Sequence, residues 1–204
     1  MTLSEFDNEI RKDYNVVCGC DEAGRGPLAG DVFAAAVIFD KDTVIEGIND
    51  SKKLTAKKRE ELFDEIMEKA VDFSIQTATV EEIEDINILN AAMLAMKRAV
   101  EDMDTKPDVC LIDGNKTPEG LEHPAIAVVK GDAKSQAVAA ASILAKVARD
   151  RYMEQMAEQY PEYRFEKHKG YGTKLHYQMI DQYGPCGIHR MSFLKKYYAK
   201  KNGH

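Results

Sequence analysis

The chain has 204 residues, of which 44% are hydrophobic and 31% are charged, with a formal net charge of -7. This length and apolar content can bury one substantial core, and no run of about 18 apolar residues is present to span a bilayer. The opening MTLSEFDNEIRKDY lacks the apolar stretch of a secretory signal, so we expect a cytoplasmic protein with no membrane partner.

Charge is distributed unevenly along the chain. From Lys146 onward there are 12 Lys and Arg against 6 Asp and Glu, a balance of +6, whereas the preceding part has 16 against 29, a balance of -13. A basic third on an acidic body can present a cationic face to a phosphate backbone. A lysine-rich tail that only improves solubility explains the same composition, and both interpretations stay open.

Short apolar or alternating segments predict five strands, at residues 16–20, 32–39, 71–80, 109–112 and 125–129. The first two are close enough in sequence to form a hairpin or meander. A helical segment separates the third from the fourth, so these two can pair in parallel through a right-handed crossover. The fold class is therefore α/β, a mixed five-stranded sheet flanked by helices.

Three helices are predicted from apolar spacing. The first follows a Thr55 cap and is expected to bury Leu62, Phe63, Ile66, Met67 and Ala70. The second presents one face formed by Ile86, Leu89, Met93, Met96, Val100 and Met103. The third is rich in alanine, which favours a close approach to the sheet, and carries a stripe of Ala141, Leu144, Ala148, Tyr152 and Met156. We expect one domain over residues 1–204, of which about 160–204 forms a basic helical C-terminal region.

The four cysteines fit neither a disulfide framework nor a zinc knuckle. Cys18 and Cys20 lie in a predicted strand, and Cys110 and Cys186 are isolated. We interpret them as small hydrophobic residues.

Acidic residues occur where three of the predicted strands give way to loops. Asp21 and Glu22 end the first strand, Asp113 ends the fourth, and Asp132 follows the fifth. Carboxyl ends of strands border the ligand crevice in open α/β sheets, and oxygen ligands there suit a hard divalent cation such as Mg²⁺ or Mn²⁺ better than zinc. Asp113 before Gly114 is also a common turn former, and Asp132 can simply cap the following helix. The adjacent pair Asp21 and Glu22 is harder to explain as a turn.

Six segments carry a specific resemblance. In chain order they are CDEAGRGPLAG, NDSKKLT, LIDGN, KGDAKSQAVAAASILAKVARD, HKGYGTKLH and HRMSF. They resemble the successive motifs of bacterial ribonuclease HII, the type 2 ribonuclease H, over nearly the whole chain. The resemblance implies a ribonuclease H-like fold with a helical C-terminal region, and a metal-dependent endonuclease. The implied substrates are RNA-DNA hybrids and single ribonucleotides embedded in duplex DNA.

The family's four acidic catalytic positions correspond to Asp21, Glu22, Asp113 and Asp132. In a two-metal arrangement the resemblance implies that Asp21 bridges both ions, with Glu22 and Asp113 at the water-activating side and Asp132 at the leaving-oxygen side. The implied reaction is in-line attack of activated water on the phosphate 5′ to a ribonucleotide, leaving a 3′-hydroxyl and a 5′-phosphate.

Two glycine-rich loops resemble the family's substrate-reading segments. Gly24-Arg25-Gly26 corresponds to the loop whose backbone reads the ribose 2′-hydroxyl, and the missing Cβ atoms are expected to allow a close approach. Tyr171 corresponds to the tyrosine that packs on the sugar at the ribonucleotide-deoxyribonucleotide junction. Without the resemblance, Gly-Tyr-Gly is typical of a turn with an exposed aromatic residue.

Other positions are weaker candidates for substrate binding. Ser51 and Lys52 resemble a motif near the substrate backbone, although a lysine-rich loop before a helix is usually solvated. Lys146 and Arg149 are expected to face phosphate, and Asp150 to pair with a neighbouring cation. His168, His176 and His189 are not expected to bind metal, because no pair has the spacing of a helical metal site.

Three alternatives remain open on the sequence. Ribonuclease HIII is expected to carry an additional N-terminal domain, for which about 15 residues before the first strand leave no room, and a lysine where Gly-Arg-Gly has Arg25. A phosphohydrolase of small phosphate esters would use clustered aspartates without the two glycine loops. A binding module without catalysis would not need four acids. We expect a monomer that acts on nucleic acid.

Overall fold

The structure, a computed structural model, describes residues 1–48 and 54–202, so Ser51 and Lys52 lie outside the described residues. Its strands are β1 (Val17–Ala23), β2 (Val32–Ile38), β3 (Asp72–Ala78), β4 (Val109–Asp113) and β5 (Ala125–Val128). Its helices are α1 (Leu3–Ile10), α2 (Ala56–Lys69), α3 (Val80–Glu101), α4 (Gln136–Gln159), α5 (Phe165–His168), α6 (Lys174–Tyr183) and α7 (Met191–Asn202). The predicted mixed five-stranded sheet with flanking helices and a helical C-terminal region is confirmed.

The sheet order is β3-β2-β1-β4-β5. β1, β2 and β3 form an antiparallel meander, while β4 pairs in parallel with both β1 and β5. The predicted pairing of β3 with β4 is therefore wrong. β3 alternates polar and apolar residues and occupies an edge, whereas the continuously buried β1 and β4 lie side by side in the interior. α3 carries the chain from β3 at one edge of the sheet to β4 on the far side of β1.

α4 lies directly on β1. A Cβ atom at Gly19 would come within 2.2 Å of the Ala137 carbonyl carbon and 2.3 Å of the Val138 nitrogen, so only glycine fits at this position. The first half of α4 is buried almost all round, as the alanine-rich sequence predicts. The predicted stripe holds at Ala141 and Leu144, which are buried. Its later members, Ala148, Tyr152 and Met156, are only half-buried.

The other helices differ from the prediction in detail. Leu62, Phe63 and Ile66 of α2 are buried, but Met67 is 41% exposed. In α3 the fully buried face includes Ala91, Ala92, Ala95 and Ala99, while Leu89 and Met93 are only half-buried. Asn87 interrupts α3 with φ 68° and ψ 162°, and this kink turns the helix between Ile86 and Ile88. The close packing of α3 on the sheet selects alanines for the interior.

α1 was not predicted, although the sequence carries a signal for it. The Thr2 side chain accepts a hydrogen bond from Glu5 N at 3.1 Å, and the Glu5 carboxylate accepts one from Thr2 N, which is a capping box. Asp7 of α1 is buried and accepts a hydrogen bond from Ala137 N at 2.9 Å, so α1 is attached to the beginning of α4.

In the part of the chain that the structure describes, no helix is both long and apolar enough to cross a membrane. Cys18, Cys20 and Cys110 are buried free thiols, and Cys186 is half-buried. The interpretation of these residues as small hydrophobic side chains is confirmed for the three buried positions.

The contact between β1 and α4 predicts that Gly19→Ala destabilises the protein. The added methyl group meets the Ala137–Val138 backbone of α4, which cannot move aside as a flexible side chain could, so the free energy of unfolding should fall by about 2 to 3 kcal/mol. Urea unfolding at constant pH measures the change. Gly187→Ala is the matched control, because its nearest neighbour would be the Tyr160 hydroxyl at 3.5 Å. Equal stability of Gly19→Ala and wild type would contradict this packing of helix on strand.

Candidate active site

A cavity of about 520 Å³ opens at the end of β1 and β4. Acidic, glycine-loop, aromatic and basic side chains share its wall. The lining residues are Asp21, Glu22, Ala23, Gly24, Arg25, Gly26, Ile88, Asp113, Ser142, Lys146, Tyr171 and Phe193. The structure therefore brings together residues from five of the six segments quoted from the sequence, among them the β1 loop and the Tyr171 loop.

Strand register explains why Asp21 and Asp113 face the same cavity. Cys20 of β1 pairs with Ile112 of the parallel strand β4, and each aspartate is the next residue along its strand. Asp21 lies within β1 and is 5% exposed, and Asp113 is the last residue of β4 and is half-buried. Glu22 follows Asp21 and lines the same cavity. Three of the four predicted acids are thus gathered at one end of the sheet.

These acids are held in a crowded, poorly solvated position. Burial raises the pKa of Asp21 well above its usual value, and the neighbouring Glu22 and Asp113 charges raise it further. A hydrogen bond with the Ser142 side chain opposes this shift in the Asp21 pKa only in part. Burial also raises the pKa of Glu22, while the Arg25 guanidinium, 3.2 Å from Glu22 Oε1, acts in the opposite direction. Such mutual repulsion favours a bound cation.

Asp132 occupies a different position from the other three acids. It is half-buried in a short 3-10 helix, Gly131–Ala133, and is not among the residues that line the cavity. The preceding residue brings this helix to β4, because Gly131 N donates a hydrogen bond of 2.6 Å to Asp113 Oδ1. Asp132 is therefore adjacent to the acidic group through the backbone of Gly131.

The two glycines of the Gly24-Arg25-Gly26 turn have different reasons to lack a Cβ atom. At Gly24 the φ angle is +104°, and a Cβ would lie 2.2 Å from Arg149 Nε. At Gly26 a Cβ would meet only Tyr171 Cε1, at 3.7 Å. The expectation that both glycines leave room for substrate is therefore wrong for Gly24, which leaves room for Arg149. Both glycines line the cavity, but of the two only Gly26 has open space where a Cβ would project.

Arg149 does not face phosphate as predicted. It is 1% exposed, and its guanidinium donates to the carbonyls of Ala29, Asp31 and Lys169 at 3.1 to 3.2 Å. It therefore links the end of the β1 loop to the Tyr171 loop. Lys146, one helical turn earlier, does line the cavity, and its ammonium pairs with Asp150 as expected.

Tyr171 is 43% exposed and its ring borders the cavity beside Gly26. Its backbone is fixed on both sides: Tyr171 N donates to His168 O at 2.8 Å, and Tyr171 O accepts from Thr173 N at 2.8 Å. Sequence patterns did not single out Ser142, Ile88 or Phe193 as lining residues. Phe193 lies in the segment HRMSF. Ile88 follows the kink at Asn87, and the apolar spacing of α3 gives no sign of this kink in the sequence.

A buried chain of histidines lies behind Tyr171. His189 Nδ1 accepts from Cys186 N at 2.9 Å, so its Nε2 carries the proton and donates to His176 Nε2 at 3.0 Å. His176 Nδ1 is then the donor to Tyr171 O, also at 3.0 Å. The His168 ring stacks on His176 with centroids 4.3 Å apart. These neutral tautomers hold the Tyr171 loop in place.

A divalent cation would meet only oxygen donors from the acids of this cavity. Within residues 1–48 and 54–202, no group of three or more His, Cys, Asp or Glu side chains is arranged so that it could hold a metal ion. The donor chemistry nevertheless fits Mg²⁺ or Mn²⁺, since Asp21, Glu22 and Asp113 offer carboxylate oxygens to one cavity. The raised pKa values of Asp21 and Glu22 reflect burial and repulsion that a cation at this position would relieve.

The family model of Ribonuclease HII matches residues 18–196. The chain belongs to the ribonuclease HII family. It is 55% identical to Ribonuclease HII of Caldicellulosiruptor saccharolyticus over 189 residues, which cover 93% of this chain and 92% of that protein. It is 58% identical to Ribonuclease HII of Idiomarina loihiensis over 178 residues, covering 87% and 95%.

Solved structures agree with the fold of ribonuclease HII. Ribonuclease H2 from Pyrococcus horikoshii matches with a TM-score of 0.72 at 30% identity, over 87% of this chain and 93% of that one. Bst-RNase HIII in complex with Mn²⁺ matches with a TM-score of 0.66 at 18% identity, over 83% and 63%, and supports the fold alone. Family membership makes the protein a ribonuclease H, which is an endonuclease and a hydrolase.

The histidine chain predicts a loss of stability at mildly acidic pH. Burial lowers the pKa of His176 and of His189 from 6.5 to about 4. The unfolded chain therefore binds protons below pH 6.5 that the folded chain does not, and this contribution to stability is lost as pH falls from 6.5 towards 4. For His176 alone the loss is on the order of 3 kcal/mol, at about 1.4 kcal/mol for each pKa unit.

Urea unfolding between pH 7 and pH 4.5 tests this contribution against a variant. Carboxyls whose pKa is raised in the folded state, such as Asp7 and Asp21, act with the opposite sign, so the informative quantity is the difference between variants. His176→Gln should be less stable at pH 7 but should lose less stability on acidification. His123→Gln, a substitution at a half-exposed position outside the histidine chain, is the control variant. An unchanged acid dependence in His176→Gln would contradict the neutral histidine chain.

Proposed function

We propose that this protein is a divalent-metal-dependent endoribonuclease that cleaves the RNA strand of RNA-DNA hybrids and the phosphodiester 5′ to ribonucleotides embedded in duplex DNA. The products would carry 3′-hydroxyl and 5′-phosphate ends. The observation that carries this proposal is the shared cavity, in which Asp21, Glu22 and Asp113 face the Gly24-Arg25-Gly26 turn and Tyr171. Acids suited to phosphate chemistry and loops suited to sugar recognition thus border one space.

Asp21, Glu22, Asp113 and Asp132 are the residues that would hold Mg²⁺ or Mn²⁺. The bound cations would lower the pKa of a coordinated water and neutralise the negative charge that develops on the phosphate in the transition state. The three carboxylates of the cavity wall repel one another in the absence of a cation, which supports this assignment. Asp132 follows Gly131, whose N–H donates a hydrogen bond to Asp113 Oδ1. Bst-RNase HIII, which shares the fold, has been solved in complex with Mn²⁺.

The remaining lining residues would bind and orient the duplex. Gly26 exposes its backbone without a side chain, and Tyr171 lies beside it. The backbone would bind the ribose 2′-hydroxyl while the Tyr171 ring packs on the face of the sugar. Lys146 is in place to contact a phosphate near the acids. Ser51 and Lys52 remain proposals for backbone contacts. The exposed Lys195, Lys196 and Lys200 lie on α7, which also contributes Phe193 to the cavity.

We further propose that one copy of the chain is sufficient for catalysis and that residues 1–204 work as one domain. The lining residues come from β1, α3, β4, α4 and the C-terminal helical segments of the same chain. RNase HII from Archaeoglobus fulgidus has been solved in a complex with PCNA.

The decisive experiment is incubation with magnesium and a DNA duplex that contains one ribonucleotide. We expect one cut, 5′ to the ribonucleotide, and no cut in an all-DNA duplex. Asp21→Asn and Asp113→Asn should each reduce the rate by at least about a hundredfold, because amides are poor ligands for hard divalent cations. EDTA should abolish cleavage by the wild type.

The stability of the same variants separates a catalytic role from a structural one. Asp21→Asn removes a buried charge from a repulsive group, so without metal its thermal stability should equal or exceed that of the wild type. Cleavage of the all-DNA duplex, or wild-type turnover in either variant, would refute the proposal. A large loss of stability would show that the acid is structural.

A second experiment tests Tyr171 as the residue that packs on the junction sugar. Tyr171→Ala should reduce the cleavage rate at a single embedded ribonucleotide by on the order of a hundredfold, since misplacement of the backbone by about 1 Å is enough for such a loss. Duplex affinity should change little, because phosphate contacts carry most of it. Tyr171→Phe distinguishes the ring from the hydroxyl. Equal small losses on a single ribonucleotide and on a long hybrid would reject the junction role.

A further inference from the structure

Arg190 is a fully buried side chain at the beginning of α7 that binds the turn before β2. It is 0% exposed and does not line the cavity. Its Nε donates to Gly30 O at 2.8 Å, its Nη1 to Arg25 O at 3.2 Å and Pro27 O at 2.9 Å, and its Nη2 to Gly24 O at 2.7 Å and Gly30 O at 2.6 Å. The five N–H groups of a guanidinium are thus all used on backbone carbonyls of one seven-residue turn.

The charge of Arg190 is balanced in an unusual way. Among residues 1–48 and 54–202 no carboxylate lies within 4 Å of it as an ion-pair partner. The more distant Asp31 charge and the partial charges of the turn carbonyls balance it instead. A buried charge without compensation is strongly destabilising, so this set of hydrogen bonds is needed for the residue to be buried at all. Such an arrangement fixes the orientation of each peptide group that it binds.

The orientation of the carbonyls determines that of the neighbouring N–H groups. A peptide unit is planar and trans, so its N–H points opposite to its C=O. With the Gly24 and Arg25 carbonyls directed at Arg190, the N–H groups of Arg25 and Gly26 point away from it. In the described part of the chain, neither N–H donates to a protein acceptor, while both residues line the cavity. Two backbone donors are therefore left available at the place where a substrate would bind.

We infer that Arg190 is a positioning residue for ribose recognition: it holds the Gly24-Arg25-Gly26 turn so that the N–H groups of Arg25 and Gly26 face the substrate 2′-hydroxyl. This inference rests on the proposed function. Discrimination between RNA and DNA would then depend on the rigidity of this turn, and a residue outside the cavity would provide that rigidity. Arg190 itself makes no contact with the substrate.

Backbone contacts separate this role from simple attachment of α7. Arg190 N donates to Leu28 O at 2.8 Å, Gly30 N donates to Ile188 O at 2.8 Å, and Ala29 bridges to His189. These bonds do not involve the Arg190 side chain. A variant of the side chain should therefore release residues 24–27 while residues 28–30 remain attached.

Arg190→Lys is the informative variant, because it keeps the charge and most of the stem but offers three donors in place of a planar fork of five. At a temperature below melting, we expect kcat at a single embedded ribonucleotide to fall about ten- to a hundredfold, with KM nearly unchanged. Arg151→Lys is the matched control. Arg151 is an exposed arginine of α4 that pairs with Glu60 and should tolerate the change.

Binding without catalysis gives a readout that a purely structural role would not alter. In EDTA, the wild type should bind a duplex with one ribonucleotide more tightly than the all-DNA duplex. In Arg190→Lys the ratio of the two affinities should fall by about tenfold, or to unity, because one or two hydrogen bonds to the 2′-hydroxyl are lost. Affinity for the all-DNA duplex should stay within about twofold of the wild type. A wild-type preference and kcat in Arg190→Lys, accompanied only by a lower melting temperature, would overturn the inference.

A measurement on the wild type covers the case in which Arg190→Lys does not fold. With ¹⁵N-labelled arginine and glycine, the Arg25 and Gly26 amide resonances should shift on addition of the ribonucleotide duplex and much less with the all-DNA duplex. Equal shifts with both duplexes would overturn the role of these amides. Failure of the proposed function has a different signature, because the wild type itself would then neither cleave nor prefer the ribonucleotide duplex in magnesium or EDTA, and the inference would fall with it.

Discussion

The contact of α4 with β1 sets the geometry on which the site depends. At Gly19 the backbones touch near Ala137, at Asp21 the helix supplies Ser142, and at Gly24 it supplies Arg149. Five residues of strand advance about 16 Å and twelve residues of helix about 18 Å, so helix and strand stay aligned over this whole distance. Gly19 allows the two backbones to touch, and Gly24 leaves room for the Arg149 side chain. The acids and the glycine turn are consequently positioned by one rigid helix.

The same rigidity keeps the acids together against their mutual repulsion. Asp21 is buried next to two further carboxylates, and its raised pKa records how unfavourable its charge is there. Nearby hydrogen bonds offset only a part of this: Ser142 to Asp21, Arg25 to Glu22 and Gly131 N to Asp113. A sequence selected only for stability would carry an uncharged residue in place of one of these acids. The arrangement is explained if a cation supplies the missing positive charge.

Much of the fold and part of the site could be predicted from the sequence, for physical reasons. Asp21 and Asp113 could be placed at strand ends because an apolar run stops at each of them. The alanine-rich sequence of α4 predicted a helix packed closely on the sheet. The neighbour of β4 could not be predicted, since periodicity shows that a strand is buried but not which strand pairs with it. Arg149 and Arg190 were missed as internal residues, because an arginine is expected in solvent unless folding supplies acceptors from distant segments.

The C-terminal third forms a wall of the site as well as a basic surface. The backbone of the turn after β1 is held from two directions by residues that follow it by more than 100 positions: Gly170 O accepts from Leu28 N at 2.8 Å, and Arg190 N donates to Leu28 O. Because Leu28 is bonded on both sides, displacement of either the Tyr171 loop or the start of α7 would move the turn. Under the proposed function, recognition of the sugar by this turn would therefore depend on the same backbone that leads from the acids of β1 to β2. If the proposed function holds, a substrate that fits the acids but not the turn would meet a backbone that resists adjustment, and this resistance would favour the correct substrate.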